Sequence, residues 1–310
     1  MKDFVILADS TCDLSEDILG YFGVCDYIKA HAYFSDGRDY AVDLNWSSIS
    51  REEFYKTLSE SNIQVTTSPA SLGEYLDAFR SYAEKGYDIL SMSLSSKISS
   101  TYQIASKAAQ EIQEEFPDCR IYCLDSYRMS SAFGLIAIYA YNMKNEGKTF
   151  DEIVEAIEEM KYRVHLMGPI DDLMFVAKRG RISKGKAIFG SFAGVKPMGD
   201  CNPDGYVTVV SKVKGVPKAL AATVEYVKRM AIDIEDQFVV VSHSNREEYA
   251  NTLKTMIEDT LHPKKVFITD SFMGSGANIG PGMIGAYFLG NKVSEDMSVE
   301  KETMGAILGK

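Results

Sequence analysis

The sequence predicts an α/β protein, with an N-terminal parallel-sheet (Rossmann-like) domain and a C-terminal α/β domain with a mixed sheet. Three observations support this. The chain has 310 residues, a length typical of two domains with separate cores. The first half alternates short apolar runs with helical stretches, which requires crossover connections and parallel strands. The second half contains a hairpin signal. We expect the domains to span residues 1–160 and 161–310.

Three candidate strands in the first half end in polar residues. They are Phe4–Ala8 (FVILA), Asp88–Ser93 (DILSMS) and Arg120–Asp125 (RIYCLD). Helical stretches follow over Thr101–Glu115 and from about Ser130. Because ligands of open α/β sheets bind at the carboxyl ends of the strands, these polar ends are where we expect a site.

The expected domain boundary at residues 160 and 161 is placed after a helix that begins near Thr149. Thr149 and Glu152 form a capping-box pattern, and Gly147 suits the end of the preceding helix. Beyond it, the turn Asn202–Gly205 contains Asp-Gly, a hairpin signal. The second half is predicted to contain strands at Val195–Met198, Tyr206–Lys212, Phe238–Ser242 and Val266–Thr269, and helices at about Pro217–Met230 and Arg246–Asp259.

Composition restricts the class of protein and its partners. The chain is 45% hydrophobic and 25% charged, which is ordinary for a folded protein. A net charge of −11 disfavours nucleic acid and anionic membrane surfaces as electrostatic partners. The longest apolar stretch, Ala132–Met143, is too short for a membrane-spanning helix, and MKDFVILADS lacks the pattern of a secretory signal. With five unpaired cysteines, these features predict a cytoplasmic protein with no integral membrane segment.

Two serine-rich segments precede helical stretches. Ser91–Tyr102 places Ser99 or Ser100 at a helix start, where hydroxyls satisfy free N–H groups. Val65–Ser71 similarly precedes Leu72–Ala83. A helix start rich in hydroxyls is a possible anion site, but a cap without a ligand is the better explanation of the first segment and still more so of the second. Both interpretations stay open on these residues alone.

Two further segments have alternative explanations. The glycine-rich run Gly274–Gly282 lacks the Lys-Ser/Thr pair of a phosphate-binding loop, so tight backbone packing at a strand start is the better explanation. Lys178–Lys186 concentrates positive charge. It is either a solvated helix end or a surface for an anionic partner.

Catalytic and metal sites find little support. The four histidines show no metal-ligand spacing, so we expect no metal and no cofactor. A hydrolytic triad of Ser99, Asp125 and His243 is a rival hypothesis. No Gly-x-Ser-x-Gly sequence surrounds any of these serines, which disfavours it.

Several motifs nevertheless occur together in one order along nearly the whole chain. They are Ala8–Thr11, Thr67-Ser68, Gly73–Tyr75, Leu94–Gln103, Asp125-Ser126, Arg179–Ser183, Lys196-Pro197, Ser242–Ser244 and Gly280–Gly282. In this order the chain resembles the DegV family of fatty-acid-binding proteins, which includes the binding subunits of bacterial fatty acid kinase. The resemblance implies a long-chain fatty acid buried between the two domains as the ligand. It also implies a separate fatty acid kinase catalytic subunit as the partner, with no enzymatic activity in this chain. Two alternatives stay open: a serine hydrolase that acts on acyl esters, and a protein that uses the bound lipid only for regulation or structure.

The resemblance also implies which residues hold the carboxylate. The family's threonine matches Thr67 and its serine matches Ser99, while the arginine of Gly-Arg-Ile matches Arg181 near the mouth of the site. Ser68, Ser96 and Asn278 complete the candidate set.

Two positions depart from the family pattern. Ser100 stands where the family usually has glycine, and Asn278 where it commonly has histidine. Asparagine can bind a carboxylate but cannot carry a proton's charge. A bacterial fatty acid kinase phosphorylates the carboxyl group, so the departure affects a proton-linked step more than it affects binding.

Overall fold

The computed structural model describes residues 2–60, 62–181 and 194–309. In the first half, the strands are β1 Phe4–Ala8, β2 His31–Phe34, β3 Asp39–Ala41, β4 Val65–Ser68, β5 Asp88–Ser93 and β6 Ile121–Asp125. The helices are α1 Glu16–Tyr21, α2 Arg51–Glu60, α3 Leu72–Ala83, α4 Thr101–Glu115, α5 Ser130–Asn145 and α6 Phe150–Met160.

The second half adds as many strands. They are β7 Val164–Pro169, β8 Val195–Cys201, β9 Val207–Lys214, β10 Phe238–His243, β11 Lys265–Asp270 and β12 Ile284–Leu289. The helices are α7 Leu173–Lys178, α8 Val216–Met230, α9 Glu247–Leu261, α10 Met273–Ile279 and α11 Ser298–Ile307.

Three sheets organise these elements. A parallel sheet has the order β1-β5-β6, and a small antiparallel sheet has the order β3-β2-β4. The third sheet has six strands in the order β11-β10-β12-β7-β8-β9, in which only β10 and β11 are parallel. The predicted fold class, a parallel sheet followed by an α/β region with a mixed sheet, is confirmed.

Helix α5 lies between the parallel sheet and the mixed sheet. It contacts β1 on one side and β7, β10 and β12 on the other, and eleven of its residues are buried. The apolar run noted in the sequence is therefore a core helix. It joins a hydrophobic cluster to which Leu90 and Phe133 contribute from the first half and Phe238 and Tyr287 from the second. The division at residues 160 and 161 stays a prediction.

No helix in the described ranges combines the length and the apolar character that crossing a membrane requires.

One local prediction was wrong and another was right only in part. Thr67 was expected near a helix start, but it lies on β4, whose pairing with β2 places Thr67 opposite Ala32. The glycine-rich run was expected to pack tightly at a strand start. It does pack tightly, but Gly274 to Asn278 belong to α10, whose C-terminal cap residue Gly280 has a positive φ of 73°. Small residues suit this helix because it packs closely: a Cβ at Gly276 would lie 2.7 Å from the Tyr55 hydroxyl.

Candidate functional site

A cavity of about 320 Å³ lies between elements of the two halves of the chain. Its wall combines hydroxyl groups with apolar side chains. The hydroxyl-bearing residues are Thr11, Thr67, Ser68, Ser99, Ser100, Thr101, Ser130 and Ser275. The apolar residues include Ala30, Leu94, Ile98, Met129, Val176, Val207 and Ile279. An amphipathic ligand matches such a wall, because its tail can bury against the apolar part while its head group binds the hydroxyls.

Thr67 enters the cavity from β4 and is oriented by α10. The side-chain amide of Asn278 donates to Thr67 Oγ1 at 3.1 Å and to the carbonyl of Gly274 at 3.0 Å. Because Thr67 Oγ1 accepts this bond, its own hydrogen remains available to donate to a ligand. Asn278 thus prepares Thr67 as a donor without contributing a titratable group.

Ser99 lies in the serine loop, residues 94–100, which connects β5 to α4. Its hydroxyl accepts a hydrogen bond from the Thr101 N–H at 3.3 Å and lies 2.8 Å from Thr101 Oγ1. The helix begins after Ser100, whose side chain makes no capping bond. The first turn of α4 therefore offers hydroxyls together with N–H groups that lack intrahelical partners, which favours a negatively charged ligand.

The structure brings together five of the six predicted site residues. Thr67, Ser68, Ser99, Arg181 and Asn278 line the same cavity. Arg181 donates through its guanidinium to the carbonyl of Arg179, and it is the only cationic side chain in the described part of the lining.

Ser96, the sixth predicted residue, and Lys178 of the basic run lie outside the cavity lining. Ser96 is not among the lining residues, and its N–H donates to Asp125 Oδ1 at 3.1 Å. Of the basic run, Lys178 ends α7, whereas residues 182–186 fall outside the described residues.

Sequence reasoning missed a second group of hydroxyls in the cavity lining. Ser130 and Ser275 line the cavity with Thr11. Ser130 donates to the buried carboxyl of Asp13, which also accepts the Phe272 N–H at 3.0 Å. Burial raises the pKa of Asp13 to about 8 in spite of these hydrogen bonds. Burial thus favours the neutral form of Asp13, which weakens its repulsion of an anion in the cavity. The Asp9-Ser10-Thr11 motif at the end of β1 was the available signal for Thr11.

The rival triad is not assembled. Ser99 bonds Thr101, and Asp125 accepts the N–H groups of Ser96 and Tyr127. His243 Nδ1 lies 3.3 Å from Asp270 Oδ1, and burial lowers the pKa of His243. In the described residues no hydrogen bond joins any two of the three proposed triad members, and His243 does not line the cavity.

His165 is buried, and both of its ring nitrogens are hydrogen-bonded within the protein. Its ring nitrogens lie 2.8 Å from Asp200 Oδ2 and 2.9 Å from the Asn291 carbonyl. Burial opposes charging of His165, but the Asp200 carboxylate outweighs it and the pKa of His165 is raised. Over residues 2–60, 62–181 and 194–309, no group of three or more His, Cys, Asp or Glu side chains is placed to hold a metal ion. The expected lack of a metal and cofactor stays a prediction.

Comparison with known proteins identifies the family. The family model described as "Uncharacterised protein, DegV family" matches residues 3–291. A DegV domain-containing protein of Clostridium perfringens is 30% identical over 296 residues, covering 94% of this chain and 99% of that protein.

Two solved structures share the fold. The structure of a Thermus thermophilus DegV family protein, described for its fatty acid binding, has a TM-score of 0.82 at 23% identity and covers 94% of this chain and 100% of that one. A Ruminococcus gnavus DegV family structure with vaccenic acid has a TM-score of 0.81 at 22% identity and covers 92% of this chain and 99% of that one. This chain belongs to the DegV family.

Proposed function

We propose that this protein binds a long-chain fatty acid in the cytoplasm and presents its carboxylate to a separate fatty acid kinase. In this proposal the protein carries the acyl group, and then the acyl phosphate, without catalysing a reaction itself. It requires no cofactor and no metal. The two domains, residues 1–160 and 161–310, hold the acid between them. The carboxylate binds Thr67 and Ser99, with Ser68, Asn278 and Arg181 nearby.

The single observation that carries the proposal is that one cavity is lined by hydroxyl donors in one part and by apolar side chains in the rest. The Thr67 hydroxyl accepts a hydrogen bond from Asn278, and its own hydrogen can donate to a ligand. The Ser99 hydroxyl lies at the start of α4. Apolar side chains such as Leu94, Met129 and Ile279 line the remainder. A carboxylate with a hydrocarbon tail satisfies both parts.

Energetics favour a carrier. A tail of about sixteen carbons contributes roughly 12 kcal/mol on burial, at about 0.8 kcal/mol per CH₂, before the costs of binding are subtracted. The head group then requires orientation more than affinity. Neutral hydroxyl donors meet that need and leave the carboxyl group chemically unchanged for a second protein.

The relatives supply independent support. The Ruminococcus gnavus structure is described with vaccenic acid, and the Thermus thermophilus structure is described for its fatty acid binding. Both cover nearly all of this chain. The five cysteines are free thiols, in keeping with a reducing compartment such as the cytoplasm.

Native mass spectrometry of gently purified protein tests the binding. We expect a co-purifying mass that corresponds to a long-chain fatty acid and that is lost on denaturation. Delipidated protein should take up vaccenic acid in a one-to-one complex. A delipidated protein that stays folded but binds no long-chain acid would refute the proposed function.

The kinase partner requires its own test. The basic run Lys178–Lys186 is the proposed docking surface, since it concentrates positive charge in a protein of net charge −11. Charge reversal at Lys184 and Lys186 should slow association with the kinase catalytic subunit, and added salt should reduce the difference. An association rate unaffected by both the substitutions and the salt excludes this surface.

A further inference from the structure

The turn between β8 and β9 is held by internal hydrogen bonds and lies outside the cavity lining. It comprises residues 202–206, the hairpin signal of the sequence. The N–H of Gly205 donates to the Asn202 carbonyl, and the N–H of Asn202 donates to the Tyr206 carbonyl, both at 2.9 Å. The Asn202 side chain also accepts the Tyr206 N–H at 2.9 Å. Gly205 has a φ of 84°, which favours glycine.

This turn packs against the serine loop of the other half of the chain. The Tyr206 hydroxyl donates to the Lys97 carbonyl at 2.9 Å, and the Ser95 hydroxyl donates to the Asp204 carbonyl at 3.3 Å. A Cβ added at Gly205 would lie 2.6 Å from both Ser95 Oγ and the Tyr127 carbonyl. The turn therefore cannot move toward the loop without displacing it.

Ser95 transmits this contact to Ser99. Ser95 is fully buried. Its carbonyl accepts the N–H groups of Ile98 at 3.1 Å and Ser99 at 3.2 Å. Its hydroxyl accepts the Lys97 N–H at 3.2 Å. Ser95 thus fixes the path of the loop up to Ser99 and also binds the turn of the second half.

We infer that the turn at residues 202–206 positions Ser99 for the ligand's carboxylate, through Ser95 and Tyr206. Neither residue lines the cavity, so both are positioning residues. The inference rests on the proposed function. In this inference the head-group hydroxyls of Thr67 and Ser99 come from the first half of the chain, and a turn of the second half fixes the position of Ser99.

Double-mutant cycles separate positioning from general stability. Affinity for vaccenic acid is measured by displacement of cis-parinaric acid, a fluorescent long-chain acid, from delipidated protein. Tyr206→Phe and Ser95→Ala should each raise Kd about threefold to tenfold, since each removes hydrogen bonds that orient the loop. Combined with Ser99→Ala, either substitution should change Kd by less than about twofold. Combined with Thr67→Ala, each should keep its full factor.

Tyr122→Phe is the matched control. It removes a tyrosine hydroxyl that bonds Glu158 at 2.7 Å and that does not line the cavity, so Kd should not change. Tyr206→Phe keeps the test decisive if Ser95→Ala does not fold. Unchanged affinity in Tyr206→Phe, or an equal loss with and without Ser99, overturns the positioning role while leaving the proposed function intact. A folded wild-type protein that fails to bind vaccenic acid overturns the proposed function, and the positioning role with it.

Discussion

Two serine-rich segments precede helices in the first half of this protein, and they end differently. At the start of α3, the Ser71 hydroxyl accepts the Glu74 N–H, and the Glu74 carboxylate accepts the Ser71 N–H, which completes a capping box. At the start of α4, the cap residue Ser100 makes no such bond, and Ser99 lies in the cavity wall. The first helix start is closed by its own side chains, and the second is open toward a cavity.

The difference separates stabilising hydroxyls from binding hydroxyls. A closed cap uses its donors and acceptors within the chain, so its loss should lower stability without changing ligand affinity. An open start leaves donors for a ligand, so its loss should weaken binding. Serine content alone did not distinguish the two roles, because both occur in one short segment. Thr67 and Ser68 line the cavity, whereas Ser71, three residues further on, caps α3.

The largest expected effect concerns the open site. Thr67→Ala and Ser99→Ala should each weaken binding of vaccenic acid by about 1.5 to 3 kcal/mol, the cost of one hydrogen bond to a charged group. The double variant should bind more weakly than either single variant. Calorimetry measures the affinities, and thermal unfolding checks the fold.

Ser71→Ala is the matched control for these variants, since it removes a nearby hydroxyl outside the lining. Wild-type affinity in the folded double variant would place the carboxylate elsewhere in the protein.

The next effect concerns the closed cap. Ser71→Ala should lower the free energy of unfolding by about 1 kcal/mol, because it leaves the Glu74 N–H without its capping acceptor. Urea unfolding of delipidated protein measures this loss, and affinity for vaccenic acid should stay at the wild-type level. A selective loss of affinity at full stability would reverse the proposed roles of the two helix starts.

A smaller effect is the acid sensitivity of that cap. Burial raises the pKa of Glu74, but the Ser71 N–H, the Ser71 hydroxyl and His31 outweigh burial, so the pKa is lowered. A carboxylate with a lowered folded pKa contributes stability above its unfolded pKa of about 4.3, and this is lost as the pH falls through the folded value. The stability difference between wild type and Glu74→Gln should therefore shrink from about pH 6 to about pH 3.5. A difference independent of pH would mean that the Glu74 charge does not stabilise the cap.

Much of the fold could be predicted because strong local patterns coincide with its elements. β1, β5, α3 and α4 begin and end at the residues that the sequence predicted. The sheet of β2, β3 and β4 was missed, since its strands have only three or four residues and gain stability from long-range pairing rather than from local sequence.

The site was predicted less completely than the fold. Family motifs identified Thr67, Ser99 and Asn278 as candidates, and all three line the cavity. Ser130 and Ser275 could not be found from local sequence, since their position depends on how α5 and α10 pack around Asp13. Nor does sequence spacing reveal that the side-chain amide of Asn278 reaches Thr67, 211 residues away.

The smallest expected effect tests whether the open serine site is a binding site or a catalytic one. Purified protein should not hydrolyse acyl esters, and His243→Ala should leave retention of vaccenic acid nearly unchanged. A serine nucleophile requires a base within about 2.6 to 3.2 Å, itself oriented by a third group. Ser99 bonds Thr101 instead, and His243 faces Asp270. Ester hydrolysis is measured with a panel of acyl esters, and retention by native mass spectrometry. Hydrolysis by the wild type that disappears in both Ser99→Ala and His243→Ala would replace the carrier with a hydrolase, because only a catalytic pair would require both side chains.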